Sequence, residues 1–323
     1  MTKMTYAEAL RQAMSEKMRE DPNVFLFGED VGPFGGCFGV SAGMHAEFGD
    51  ERVRDTPISE GVIVGAAVGS AATGCRPIAE LMFIDFLTVG MDQLVNQAAK
   101  MRYMFGGKIN LPMTVRVPAG GGTGGAAQHS QSLEKWVAGI PGLKVVYPSN
   151  AADAYGLLLS AIEDDNPVVF IEQKTLYGVS FDVPEKMERI PLGKARIHRE
   201  GSDVSIITYA KQVHAAQVAA EKLAKEGIEA EILDLRTLYP LDKEAILKTV
   251  EKTGRVVLVS EETKRGSYIS EIASIIAEEA FYDLNAPIIR IAALDTPVPF
   301  ASILESVYLP NAEDIVKAVK EMM

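Results

Sequence analysis

Residues 203–235 read DVSIITYAKQVHAAQVAAEKLAKEGIEAEILDL. Two short runs rich in Ile, Val and Leu, 203–210 and 228–235, bracket a stretch, 211–226, whose apolar residues recur at helical spacing. Runs that are apolar on both faces, joined by a helix, spell a parallel strand–helix–strand unit, because a strand covered on both sides has no polar alternate. Downstream the theme repeats: helix 242–252, strand 254–262, helix 268–281, strand 287–292 and helix 311–322. Upstream it occurs independently. Strands are expected at 24–30, 77–82, 112–117, 143–148 and 167–172, with helices at 87–104, 131–138 and 151–163.

The two series imply an α/β protein of two doubly wound domains. Between them, Pro, Gly and charged residues interrupt any period. The expected boundaries are a first domain over 1–185, a linker over 186–202 and a second domain over 203–323. At 323 residues the chain is too long for one ordinary core.

Apolar residues make up 47% and charged residues 24%, an ordinary globular mixture. A formal charge of −12 argues against nucleic-acid or anionic-membrane partners, which select for basic patches. No apolar run is long enough to span a bilayer. The opening residues, MTKMTYAEALRQAMSEKMRED, read as an amphipathic helix rather than a signal peptide. Cys37 and Cys75 form no disulfide framework and no metal-ligand spacing, so a reducing, cytoplasmic setting is expected.

Three features carry chemistry. In DTPISEGVIVGAAVGSAATG (55–74), Glu60 runs straight into a helix of small and apolar residues, where Ser59 is placed to cap the first turn. A carboxyl at such a close-packed seam loses water and tends to keep its proton. In VPAGGGTGGAAQHSQS (117–132), Gly120, Gly122 and Gly125 fit G-x-G-x-x-G after a strand. The acidic ribose ligand expected some 20 residues later is missing, so a loop that moves or approaches a ligand fits better than a nicotinamide site. His129 closes that loop, either as a proton-transfer group or as a structural histidine bonded to loop backbone. His45, His198 and His214 read as surface residues.

The words DTPISE, RPIAELMFIDF, DQLVNQAAKMRYMFGGK, AAQHSQS and PGLKVVYPSN, in this order, resemble the beta subunits of thiamine diphosphate-dependent 2-oxo acid dehydrogenases. The resemblance spans essentially the whole chain. It implies a pyrimidine-binding domain followed by a transketolase C-terminal-like domain. It implies that Glu60 binds N1′ of the aminopyrimidine, where a shared proton favours the tautomer able to activate the thiazolium carbon. Phe86 would stack on the pyrimidine, Ile58 and Met82 would line the cofactor, and His129 would assist substrate binding and transfer to a lipoyl group. SAIEDDNPVV (160–169) matches a potassium site made of the Asp164 and Asn166 side chains and the backbone oxygens of Met113, Ala161 and Ile162. Glu29 and Asp92 match acidic residues of a buried passage between paired active sites.

The family's G-D-G…N motif, which grips diphosphate through Mg²⁺, is missing; FGDERV (48–53) is the nearest string. The chain thus holds the pyrimidine half of a site. An alpha subunit would supply the Mg²⁺ half in a tetramer of two alpha and two beta chains. A dihydrolipoyl acyltransferase and its lipoyl domain are the further partners implied. ELMFIDF, RYMFGGK, VAGIPGLKVV and GGCFGVSAGM look most like acetoin dehydrogenases, with pyruvate second and branched-chain 2-oxo acids third. A nicotinamide oxidoreductase and a non-catalytic scaffold subunit are the competing readings.

Overall fold

The computed structural model describes residues 2–323. Two compact units emerge, one running to Ala119 and resuming over Trp136–Leu192, the other formed by Gly120–Lys135 with Gly193–Met323. The glycine-rich loop thus belongs to the second unit, although both of its flanks in the chain are first-unit sequence.

In the first unit, β1 (Thr2–Thr5) leads into the helix Tyr6–Glu20. Thr5 and Glu8 form a reciprocal capping box there: the Glu8 N–H donates to Thr5 Oγ1 at 3.2 Å, and the Thr5 N–H donates to Glu8 Oε2 at 2.7 Å. Tyr6, Ala9, Leu10, Ala13 and Met14 make its buried stripe, as the amphipathic period predicts. The strands β2 (Val24–Gly28), β3 (Val53–Asp55), β4 (Arg76–Glu80), β5 (Thr114–Ala119), β6 (Lys144–Val146) and β7 (Val168–Gln173) lie in the order β6-β7-β5-β4-β2-β3. Every pairing among them is parallel. The helices Tyr6–Glu20 and Ala151–Glu163 bury their apolar faces against Val24, Leu26, Ile78 and Phe170. Each fully buried Leu, Ile or Phe there contributes about 1.5–3 kcal/mol.

The run expected as one helix over 87–104 is instead a chain of short pieces. Ile84–Leu87 is α-helical, Thr88–Gly90 is 3₁₀, Gln93–Ala98 is a π-helix, and Ala99–Met104 is α-helical again. Gly90 gives the physical reason. A Cβ there would stand 2.7 Å from Val64 Cγ2 and 3.2 Å from the Glu60 carbonyl, so the turn is pressed against the helix Glu60–Ala72. Three strands of this unit escaped the sequence reading, β1, β3 and β8 (Ser180–Val183), the last pairing antiparallel with β1.

In the second unit the expected linker contains β9 (Arg196–Arg199). It pairs antiparallel with β11 (Ala230–Asp234) on the far side from β10 (Val204–Thr208). After the short β12 (Thr237–Tyr239) come β13 (Val256–Thr263) and β14 (Ile289–Ala293). The sheet runs β14-β13-β10-β11-β9, parallel apart from β9. Helices Gln212–Ala224 and Ala312–Met322 close one core with Ile206, Ile232 and Val257. No helix of the described residues is long and apolar enough to cross a membrane.

Candidate active site

Open parallel sheets bind ligands beyond the carboxyl ends of their strands, where the strand order reverses. In the first unit that point is β2, because the chain runs outward to β3 and then returns to β4 on the other flank. The segments leaving β2, β3 and β4 there carry Glu29, Ile58–Glu60 and Leu81–Phe86.

Glu60 is the first residue of its helix and is only 8% exposed. The Ser59 side chain makes no capping bond. The Ser59 backbone N–H lies close enough to the Glu29 carboxyl, which is 4% exposed, to pull its proton affinity down. One oxygen of Glu29, Oε1, is buried and unpartnered among the described residues. Burial pushes the Glu29 carboxyl up, the negative charges of Glu60 and Asp30 push it further, and the Ser59 N–H pulls the other way. Glu29, next to Glu60, is therefore biased toward its protonated form.

Phe86 and Met82 are half-buried beside this pair's strands, while Ile58 is 80% exposed. Phe86 meets Phe83 edge-on at 5.8 Å, Phe83 meets Phe38 edge-on at 5.6 Å, and Phe38 stacks on Tyr177 at 5.2 Å. Lys174 Nζ lies 4.9 Å from the Phe83 ring centre. Behind the aromatic groups, Arg116 is 1% exposed and bridges Glu80 and Glu172. Its Nε and Nη2 donate to the two oxygens of Glu172 at 2.6 and 2.8 Å, and the Tyr177 hydroxyl donates to Glu172 Oε2 at 2.6 Å. Sequence reading passed over this network. Its signal was there: Glu80 and Glu172 are charges inside runs read as buried on both faces, which demands a buried partner.

The cation-site residues lie at the opposite, amino-terminal edge of the same sheet, just before β5 and β7. Their oxygens are engaged by the protein's own groups. Asp164 Oδ2 pairs with Lys144, and Asp164 Oδ1 accepts the Asn166 N–H and Nδ2, each at 2.9 Å. Arg102 donates to Asn166 Oδ1 at 2.6 Å, Arg76 donates to the Ile162 carbonyl at 3.2 Å, and the Met113 carbonyl accepts the Val168 N–H at 2.9 Å. In this chain those oxygens bond the protein's own groups, and no step is assigned to a potassium ion. Asp92 is exposed and accepts from Asn96 Nδ2 at 2.7 Å, whereas Glu29 is buried.

His129 sits half-buried in the loop of the second unit, its N–H directed at the Ala126 carbonyl at 3.5 Å. The loop amides that a dinucleotide would need are already used. Glu305 Oε1 accepts the Gly122 N–H at 2.8 Å, and Oε2 accepts the Gly124 N–H at 3.0 Å. Where the loop ends, Glu134 is fully buried, and the Tyr209 hydroxyl lies 3.1 Å from its Oε1 and 3.4 Å from Glu262 Oε2. Burial raises both carboxyl groups, Glu262 to about 7 and Glu134 well above the carboxylate range.

Residues 2–180 match the family described as transketolase, pyrimidine binding domain, and residues 193–315 match transketolase, C-terminal domain. The acetoin:2,6-dichlorophenolindophenol oxidoreductase subunit beta of Bacillus subtilis (strain 168) is 50% identical, over 99% of this chain and 97% of that protein. The 2-oxoisovalerate dehydrogenase subunit beta of the same organism is 47% identical, over 100% and 99%. The pyruvate dehydrogenase E1 component subunit beta of Rickettsia felis is 47% identical, over 99% and 98%. Among solved structures, a split gene transketolase, inactive beta4 tetramer, superposes with a TM-score of 0.82 at 25% identity, covering 99% of this chain and 98% of that one. The resemblance read from the sequence and the two-domain transketolase-like fold are both borne out. The chain belongs to the family of beta subunits of the acetoin and 2-oxo acid dehydrogenase components.

Proposed function

We propose that this chain is the beta subunit of a thiamine diphosphate-dependent acetoin dehydrogenase component, which cleaves its substrate and acylates a lipoyl group. The cofactor supplies the nucleophilic carbon that attacks the substrate carbonyl. The observation that carries the reading is a buried Glu60 beside a proton-biased Glu29 at the strand-order reversal, with half-buried Phe86 on the neighbouring segment. Glu60 holds a proton on the pyrimidine nitrogen, and Glu29 keeps that proton available while water is excluded. Phe86 offers an aromatic face to the pyrimidine, and Met82 and Ile58 offer apolar surface. His129 binds the substrate oxygen and takes part in transfer to the lipoyl group.

The diphosphate and Mg²⁺ half of the site belongs to an alpha subunit, in a tetramer of two alpha and two beta chains. Ile58, 80% exposed in the lone chain, is then covered by the cofactor and that partner. A dihydrolipoyl acyltransferase receives the acyl group. Acetoin leads pyruvate and branched-chain 2-oxo acids on the sequence words ELMFIDF, RYMFGGK, VAGIPGLKVV and GGCFGVSAGM. Steady-state rates on acetoin, pyruvate and 3-methyl-2-oxobutanoate, measured with the cognate alpha chain, decide the substrate. Replacing Glu60 with Gln should abolish cofactor-dependent turnover while the tetramer still assembles. Near-normal turnover in that variant would remove Glu60 from the mechanism.

A further inference from the structure

The loop Gly120–Lys135 contains five glycines, so it loses more backbone freedom on ordering than almost any other loop of its length. The Gly120 N–H donates to the Gln131 carbonyl at 3.1 Å and closes the loop, and the 3.5 Å contact from His129 to Ala126 adds little. Two carboxylates of the second unit accept backbone amides at the loop's two ends. At the start, both oxygens of Glu305 are spent on the loop, one on each of the Gly122 and Gly124 amides. Gly122 and Gly124 adopt φ of +95° and +69°, a left-handed backbone that aims alternate N–H groups at one anion. Gly121, between the clamp and Leu309, has no spare room: a Cβ there would lie 3.2 Å from both Leu309 methyls. At the end, Glu262 Oε1 accepts the Lys135 N–H at 3.0 Å while Oε2 accepts the Tyr268 N–H at 2.6 Å.

Glu305 is 4% exposed, and no Lys, Arg or His among the described residues forms an ion pair with it. A buried carboxylate without a cation is costly unless hydrogen bonds replace its lost water. Here the only side-chain bonds are those to the two glycine amides. We propose that Glu305, seconded by Glu262, is a positioning residue that fixes the loop carrying His129 by gripping its amides at both ends. The inference rests on the reading of His129 as an active-site group and adds what holds that group in place.

The test uses the beta chain assembled with its alpha subunit and cofactor. Hydrogen exchange of the segment 119–131 is followed beside kcat and cofactor half-saturation in Glu305→Gln and His129→Ala. The Gln variant keeps one acceptor but turns an N–H₂ toward the second amide. Losing a charge-assisted bond of this kind should speed loop exchange, and slow kcat, by about tenfold or more. Cofactor half-saturation should stay within about twofold, a split that general destabilisation would not give. His129→Ala should slow kcat without speeding exchange. Should Glu305→Gln fail to assemble, Glu305→Asp, which keeps the charge but shortens the reach, must show the same two effects at smaller size. Unchanged loop exchange in the Glu305 variants, whatever their rate, overturns the clamp. Faster exchange together with full activity in His129→Ala would leave the clamp standing and remove the catalytic reading of His129.

Discussion

Arg116→Met separates a buried ion network from mere packing. Arg116 is enclosed on strand β5 between Glu80 and Glu172, all three within 5% of full burial. Methionine keeps most of the volume and removes the only cation. Two carboxyl groups are then left together in a dry interior, where breaking such a set by deleting one partner costs about 3–5 kcal/mol. In a unit of this size each kcal/mol moves the midpoint by roughly 2–4 °C, so the first unit should melt about 10 °C lower. The loss has a predictable pH dependence. Burial already pushes the Glu80 carboxyl up and Arg116 pulls it down, so removing Arg116 lets the carboxyl groups take up protons. Protonation relieves the penalty, and the deficit should be smaller at pH 5.5 than at pH 8. Calorimetry or urea unfolding at the two pH values reads both effects. Neutralising the whole set, with Arg116→Met, Glu80→Gln and Glu172→Gln together, should recover much of the loss, because the uncompensated charge is gone. A single-variant shift under about 2 °C, or one indifferent to pH, would refute the network's role. Function should follow, since the Leu81 N–H donates to the Arg116 carbonyl at 3.1 Å and Leu81 opens the segment that carries Met82 and Phe86.

In the second unit, the Glu262 carboxyl is raised from 4.5 to about 7 by burial, against the N–H donors of Tyr268 and Lys135. The folded state therefore binds more protons than the unfolded state in that window, and stability falls as pH rises from about 4.5 toward 7, by at most about 1.4 kcal/mol per pH unit for one proton. Glu134 is the buried neighbour of Glu262, and Tyr209, Glu261 and Lys135 are the other titratable groups that act on one or both of these two carboxyl groups. Glu262→Gln should flatten that part of the stability–pH curve in denaturant titrations, and an unchanged slope would show that the proton sits elsewhere. Gly90→Ala forces a methyl between Val64 and the Glu60 carbonyl, with an overpacking cost of about 1–3 kcal/mol. It should weaken cofactor response along with stability, whereas Gly69→Ala, which meets nothing within 4 Å, should spare both. Calorimetry on the purified beta chain alone should show little or no thiamine diphosphate binding, with or without Mg²⁺. Tight stoichiometric binding would mean the chain is more than half a site.

The sequence by itself determined the α/β class, the two parallel series and most strand positions. These depend on short apolar runs and helical spacing, which are local. It marked Glu60 because a carboxylate next to a small-residue helix is conspicuous, and its family words carried the rest of the site. Other features depend on pairings distant in the chain. β9 sits in a stretch that reads as linker, because its edge-strand alternation is masked by Arg and His, and only the partner β11 makes it a strand. The broken helices between 84 and 104 follow from Gly90 pressing on Glu60–Ala72, a contact no window of sequence contains. Assignment of the glycine loop to the second unit needed Glu305, some 180 residues away, to reach its amides. The protonation bias of Glu29 and Glu262 likewise comes from burial and neighbouring charge, which exist only once the chain has closed around them.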